Sequence, residues 1–110
     1  MGQYSFTRAE RLLKSKDFIS ARKEGKKVTG RNLVVFFKKN NLGIRRLGLA
    51  VSSKVGGAVK RSRIKRLLRE FFRLNKELFP SSTDIFISVI RGFNPAGYKE
   101  VEREFKLLKF

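Results

Sequence analysis

The chain has 110 residues, which favours a single domain. It contains 27 Lys or Arg against 9 Asp or Glu, a net charge of +18. This charge favours binding to a polyanion, and nucleic acid is favoured over an anionic membrane surface. It contains no Cys and no His, which removes disulfides, thiolate metal sites and the commonest general base. It also lacks both an apolar run near the ~20 residues of a membrane span and a secretory signal, so we expect a cytoplasmic protein without a membrane partner.

The N-terminal quarter of the chain predicts an extended lead-in followed by a short helix. Residues 1–12 place Arg8 and Arg11 among apolar side chains, as an extended segment would. Ser15 is a typical N-cap and Gly25 a typical stop, so we expect a helix over residues 15–24.

Two strands with alternating side chains follow. In the first strand, RNLVVFFKK, one set of side chains is assigned to the core: Leu33, Val35 and Phe37. The other set is assigned to an outer or cleft face: Asn32, Val34, Phe36 and Lys38. After a turn rich in Asn and Gly, the stretch LGLAVS also alternates, and one of its two sets is small: Gly48, Ala50 and Ser52. Small residues on one face indicate close packing there, by a helix or by a ligand, with the helix favoured.

The second half of the chain predicts a helix, a strand and a helix. A long amphipathic helix begins near Ala58 and ends before Pro80, with one apolar stripe: Ile64, Leu67, Leu68, Phe71, Leu74 and Leu78. DIFISVI predicts a buried strand, and Asn94 with Pro95 predicts the start of a last helix with four inward residues: Tyr98, Val101, Phe105 and Leu108. The order α-β-β-α-β-α predicts an α+β fold, a two-layer sandwich with helices on an antiparallel or mixed sheet of about four strands.

The long helix carries an unusual excess of positive charge. Basic residues align in a ridge formed by Arg61, Lys65 and Arg69, and a second ridge lies beside it: Ser62, Arg66 and Arg73. A solvated face would normally place acids four residues from the bases, whereas each such pair along the first ridge is basic with basic. Because arginine matches phosphate oxygens bidentately, the pattern favours polyanion binding over the solvated face.

Motifs that would indicate protein-based catalysis are incomplete. Ser62 and Lys65 satisfy S-x-x-K, but the companion motifs of that enzyme class are missing. Gly56 and Gly57 precede Lys60 at the wrong spacing for a phosphate-binding loop. The nine carboxylates form no local pair typical of acid–base or two-metal chemistry. The sequence therefore predicts a binding protein with no catalytic residue and no metal ligand of its own.

The segment AVKRSRIKRLLR, residues 58–69, resembles the signature of the bacterial ribonuclease P protein subunit, in which Arg-Asn-Arg is followed by an apolar residue, a Lys-Arg pair and a further basic residue. The similarity extends to RLGLAVSSKVGGAV just before it, and to FTRAERLLKSKDF and GKKVTGRNLVVFF nearer the N-terminus. One position departs from the pattern, because Ser62 stands where the family usually has Asn. Serine keeps a donor and an acceptor but is shorter.

The resemblance implies a ribonucleoprotein that removes the 5′ leader from precursor tRNA, with the magnesium-dependent active site in its large RNA. The protein would bind ribonuclease P RNA and the leader, would strengthen substrate and Mg²⁺ binding, and would need no protein partner. Mg²⁺ would be bound mainly by the RNA. The resemblance also implies a left-handed β-α-β crossover around the basic helix, against the usual right-handed rule.

The resemblance also assigns residues to two sites. The expected RNA-binding residues lie on the basic helix and just before it: Lys54, Lys60, Arg61, Ser62, Arg63, Lys65, Arg66, Arg69 and Arg73. The expected leader cleft lies between the first helix and the sheet, where aromatic rings would stack on bases: Phe18, Arg22, Phe36 and Ser52. The alternative is a ribosomal or other structural RNA-binding protein without a role in tRNA processing, which would share the charge and fold class but not the spacing of residues 58–69.

Overall fold

The computed structural model describes residue 10 and residues 15–108. In chain order the elements are α1 (Ser15–Glu24), β1 (Lys26–Thr29), β2 (Leu33–Lys39), β3 (Arg46–Ala50), α2 (Ala58–Leu74), β4 (Thr83–Val89) and α3 (Tyr98–Leu107), with a 3₁₀ turn at Lys76–Leu78. Apart from residue 10, the predicted lead-in over residues 1–12 lies outside the described residues. No helix in the described part of the chain has the length and apolar character that crossing a membrane requires.

The four strands form one mixed sheet in the order β1-β2-β4-β3. β2 is antiparallel to both β1 and β4, whereas β3 and β4 are parallel neighbours joined through α2. The α+β class and the mixed sheet predicted from the sequence are confirmed. The handedness that the resemblance implies for the β3-α2-β4 connection stays a prediction.

The two faces of the sheet support two separate apolar clusters. The larger cluster joins the inward residues of β2, β3 and β4 to buried residues of α2 and α3, such as Leu68, Phe71 and Phe105. The smaller one lies under α1, where Ala21 packs with Phe36 and Phe86. Helices therefore cover both faces, and α1 adds a thin layer to the predicted two-layer sandwich. The alternation predicted for β2 and β3 is confirmed, and the small residue Ala50 packs within the cluster under α1.

A glycine allows α1 to end directly against the sheet. The Gly25 amide donates to the Ala21 carbonyl at 3.0 Å, which closes the last turn of the helix. A side chain at position 25 would place its Cβ 2.4 Å from the oxygen of Ala21 and 2.5 Å from that of Phe37. Because real Cβ atoms do not approach backbone so closely, only glycine allows this join between α1 and β2.

Two predicted boundaries and one missing strand need correction. α2 ends at Leu74, since Asn75 caps it through its amide to the Phe71 carbonyl, and Leu78 is consequently 55% exposed and outside the apolar stripe. α3 begins at Tyr98, later than the predicted start at 94–95. The strand β1 is absent from the predicted order, because its residues KKVT are short and mostly polar, as edge strands often are.

Candidate nucleic-acid interface

The outer face of α2 presents the basic ridges to solvent. Ser62, Arg66 and Arg69 are exposed, and the neighbouring cations Lys60, Arg61 and Lys65 are half-buried. Within the described residues, no acid forms an ion pair with any of these cations. Lys54, in the turn before α2, is also exposed. The predicted RNA-binding residues thus form one continuous cationic surface, from the turn along the first three turns of the helix.

Two other predicted RNA-binding arginines are engaged within the protein. The Arg63 guanidinium donates to the carbonyl of Pro95 at 2.6 Å and to that of Ala96, so it ties α2 to the segment before α3. Arg73 donates to the Glu70 carboxylate at 2.6 Å. RNA contacts by Arg63 and Arg73 stay a prediction. The positive charge that lacks an acidic partner among the described residues lies on the other predicted RNA-binding cations.

The second candidate surface is the cleft between α1 and the sheet. The Phe18 ring is half-buried and packs edge-on against Phe86, with centroids 5.0 Å apart. Phe36 is only 9% exposed and lies 5.9 Å from Phe86. Arg22 and Ser52 are exposed. The structure therefore places Phe36 in the buried cluster under α1, with Phe18 packed against it, and the role of these residues in a leader cleft stays a prediction.

Charged side chains fix α1 across the strands. Near the start of the helix, Asp17 lies 3.6 Å from Arg46 on β3, and at its end Glu24 lies 3.3 Å from Lys38 on β2. The Ser20 hydroxyl accepts from the same Lys38 ammonium. These contacts hold one side of α1, and at about 100° per residue Phe18 and Arg22 lie on its other side, along the cleft.

A largely buried ion pair between Arg46 and Asp84 supports this placement of α1 on the sheet. Arg46 donates from Nε and Nη2 to the two carboxylate oxygens of Asp84, each at 2.7 Å, and the Asn40 amide donates to the same carboxylate at 2.8 Å. The hydrogen bond that Arg46 donates to the Asp84 carboxylate holds the pKa of Arg46 above its usual range, against the opposing effect of desolvation. Arg46 therefore stays charged and joins α1 to two strands.

Lys27, on the edge strand β1, borders the apolar cluster under α1 and is not among the residues predicted from the sequence. It pairs in register with Phe36, and its ammonium lies 5.9 Å from the centre of that ring. The alternation of β1 could have revealed it, had those four residues been recognised as a strand.

The carboxylates are used to hold the fold together. Besides the acids already described, Glu10 pairs with Lys76 at 2.8 Å, and Glu104 accepts from the Asn32 amide. Asn32 thus turns toward α3, not toward the cleft face to which alternation assigned it. No group of three or more acids in residue 10 and residues 15–108 is placed to hold a metal ion. We therefore derive no step through a protein-bound metal.

An α+β domain with an uncompensated arginine helix and a cleft lined by aromatic and basic side chains defines a nucleic-acid-binding protein. The family model for Ribonuclease P matches residues 6–109. The ribonuclease P protein component of Syntrophus aciditrophicus is 38% identical over 108 residues, which cover 98% of this chain and 91% of that protein.

Solved structures agree with this match. The RNase P protein of Staphylococcus aureus superposes with a TM-score of 0.81 at 31% identity, covering 90% of this chain and 91% of that one. The RNase P protein of Thermotoga maritima gives 0.78 at 35% identity, covering 88% and 92%. The chain belongs to the ribonuclease P protein family. It is thus an RNA-binding protein component of a ribonucleoprotein ribonuclease that acts in tRNA processing.

Proposed function

We propose that the protein binds ribonuclease P RNA through the exposed ridge of α2 and holds the 5′ leader of precursor tRNA in the cleft beside α1. By binding both RNAs, it strengthens the association of the substrate and of the Mg²⁺ ions with the catalytic RNA. The observation that carries this proposal is the row of bases on α2 that have no acidic partner among the described residues, with Arg66 and Arg69 exposed, within the segment that resembles the family signature.

Electrostatics supports the assignment of α2 to the larger RNA. Arg61, Lys65 and Arg69 lie one turn apart, and like charges at this spacing each destabilise a helix by about 0.2–0.5 kcal/mol. Phosphates along an RNA strand would replace this repulsion with attraction and release counterions. Ser62, between these bases, offers one hydroxyl where the family usually has an amide. Because its side chain reaches less far than that amide, the contacts in this part of the helix fall to the basic residues around it.

The side chains between α1 and the sheet support the assignment of the leader to this place. A single strand is bound by stacking on aromatic rings and by cations along its backbone. Here Phe18 offers a partly exposed ring, Arg22 supplies a cation, and Ser52 adds an exposed hydroxyl just beyond β3.

Cleavage itself is assigned to the RNA. Eight of the nine carboxylates accept a hydrogen bond or an ion pair from a neighbouring group, and the chain has no His or Cys to act as base or nucleophile. Magnesium supplies charge neutralisation and an activated water when bound to the RNA. The protein's residues bind, orient and neutralise phosphates.

The salt dependence of RNA binding tests the role of α2. Arg66→Ala and Arg69→Ala should each flatten the plot of log affinity for ribonuclease P RNA against log salt concentration by about 0.7–0.9, because each removes one phosphate contact. Affinity at low salt should fall in parallel. Fluorescence titration over a salt series measures both quantities.

Arg103→Ala is the matched control, since Arg103 is an exposed helical arginine on α3. It should leave the slope of the parent protein unchanged. Equal salt slopes for all three variants would show that the outer face of α2 is an ordinary solvated face without phosphate contacts.

A further inference from the structure

A second basic surface lies at the β1 edge of the sheet, and neither the α2 ridge nor the cleft accounts for it. The stretch RKEGKK, residues 22–27, holds four bases and one acid where α1 turns into β1. We call the three exposed lysines Lys23, Lys26 and Lys27 the basic edge. Among the strands of residues 15–108, β1 pairs with β2 alone, so these lysines border the outer side of the sheet as it is described.

The positive charge of the basic edge is not neutralised within the protein. The nearby acid, Glu24, is bound by Lys38 at 3.3 Å and accepts a further contact from Ser20. Within the described part of the chain, no ion pair involves any of the three lysines. Close, unneutralised like charges repel one another and attract an external polyanion.

The basic edge is continuous with the cleft. Phe86, Phe36 and Lys27 lie opposite one another on three successive strands, β4, β2 and β1. Strands are about 4.8 Å apart, so Lys27 lies about 10 Å beyond Phe86 across the sheet. Because α1 is tied to β3 near its start and to β2 at its end, the cleft beside it also runs across the strands, toward β1.

We infer that the basic edge binds phosphates of the leader nucleotides that leave the cleft farthest from the tRNA body. This inference rests on the proposed binding of the leader. A strand that lies in the cleft meets Lys27 as it leaves the ring of Phe36. It passes Lys23 at the end of α1, on the same side of the sheet, and then meets Lys26, which projects from the opposite face of β1. The three ammonium groups thus follow the strand around the edge of the sheet.

Lysines on an edge strand can also serve to prevent pairing between sheets of two copies of a protein. That role needs positive charge but no RNA, so it predicts self-association of a neutralised variant with unchanged RNA affinity. The two roles are separable by experiment.

The test uses Lys26→Gln/Lys27→Gln with the full chain, ribonuclease P RNA and precursors whose leaders are lengthened one nucleotide at a time. The parent protein should gain affinity in two stages, first as the leader fills the cleft and then as it crosses β1. The variant should keep the first gain and lose the second, and for long leaders its salt slope should fall by about 1.4, the value for two single-strand contacts. Lys99→Gln/Arg103→Gln removes the same charge from exposed positions on α3 and should match the parent.

Three results would overturn the inference. The first is a variant that keeps the gain in affinity for long leaders, whether or not it self-associates. The second is an equal loss for all leader lengths, which would assign the lysines to ribonuclease P RNA. The third is a parent protein without any dependence on leader length, and this result alone would also refute the proposed binding of the leader.

Discussion

Replacing Phe36 with Ala is expected to lower the free energy of unfolding by about 3–5 kcal/mol, the usual range for removing a large buried ring. The ring is only 9% exposed, packs against Phe86, and has the Lys27 ammonium above it. Affinities for ribonuclease P RNA and for the precursor should then fall together, with a matching drop in melting temperature. Thermal melting and the two binding measurements check this result.

Phe36→Leu separates the fold from the leader contact. Leucine keeps most of the apolar contact and removes the aromatic face, so stability should fall far less than in the Ala variant. If Phe36 also stacks on a leader base, the Leu variant should bind long-leader precursors more weakly by about 1–3 kcal/mol, and shortening the leader to one nucleotide should abolish that difference. A Phe36→Ala variant with the melting temperature of the parent would contradict the burial of the ring.

Asp84→Ala is expected to be the most damaging substitution of a charged residue. It leaves the Arg46 guanidinium without its bidentate partner and removes the acceptor of the Asn40 amide. Breaking a buried ion pair typically costs about 3–5 kcal/mol. We expect about 3 kcal/mol, the lower end of that range, because the Arg46 side chain keeps 20% of its surface exposed. Urea unfolding measures the change.

Glu70→Ala is the control for this prediction, because Glu70 forms an exposed pair with Arg73 at 2.6 Å. Such surface pairs contribute about 0–1 kcal/mol. Similar losses for the two variants would show that the Arg46–Asp84 pair does not hold α1 and the sheet together. The leader affinity of Asp84→Ala should also fall, since Arg46 positions α1 beside the cleft.

Side-chain periodicity predicted the elements that bury one face. The bounds of α1 follow from its N-cap residue Ser15 and its stop at Gly25. The inward sets of β2 and β3 follow from alternation alone, because the core requires those side chains to point one way. The strand β1 was not predicted, because Lys26 and Lys27 leave it without an apolar face. The strand is defined by its pairing with β2, from Lys26 opposite Phe37 to Thr29 opposite Val34, and the alternation of its own side chains does not reveal that pairing.

The start of α3 and the role of Arg63 depend on the same distant contact. Asn94 and Pro95 have the composition of a helix start, yet the carbonyls of Pro95 and Ala96 accept from the Arg63 guanidinium, and the helix begins at Tyr98. The resemblance assigned Arg63 to RNA binding, and the sequence could not identify these two acceptors. The cleft is a similar case, since its floor combines Phe36 with Phe86 from a strand fifty residues later.

Reconstitution with ribonuclease P RNA and a precursor tRNA at low magnesium tests the central claim most directly. The protein alone should cleave nothing, because its carboxylates are engaged in the fold and it has no His or Cys. Added to the RNA, it should lower the magnesium concentration needed for 5′ processing and tighten the binding of precursor more than that of mature tRNA. Clean 5′ cleavage by protein free of RNA would contradict the account, as would an unchanged magnesium requirement in the reconstituted complex.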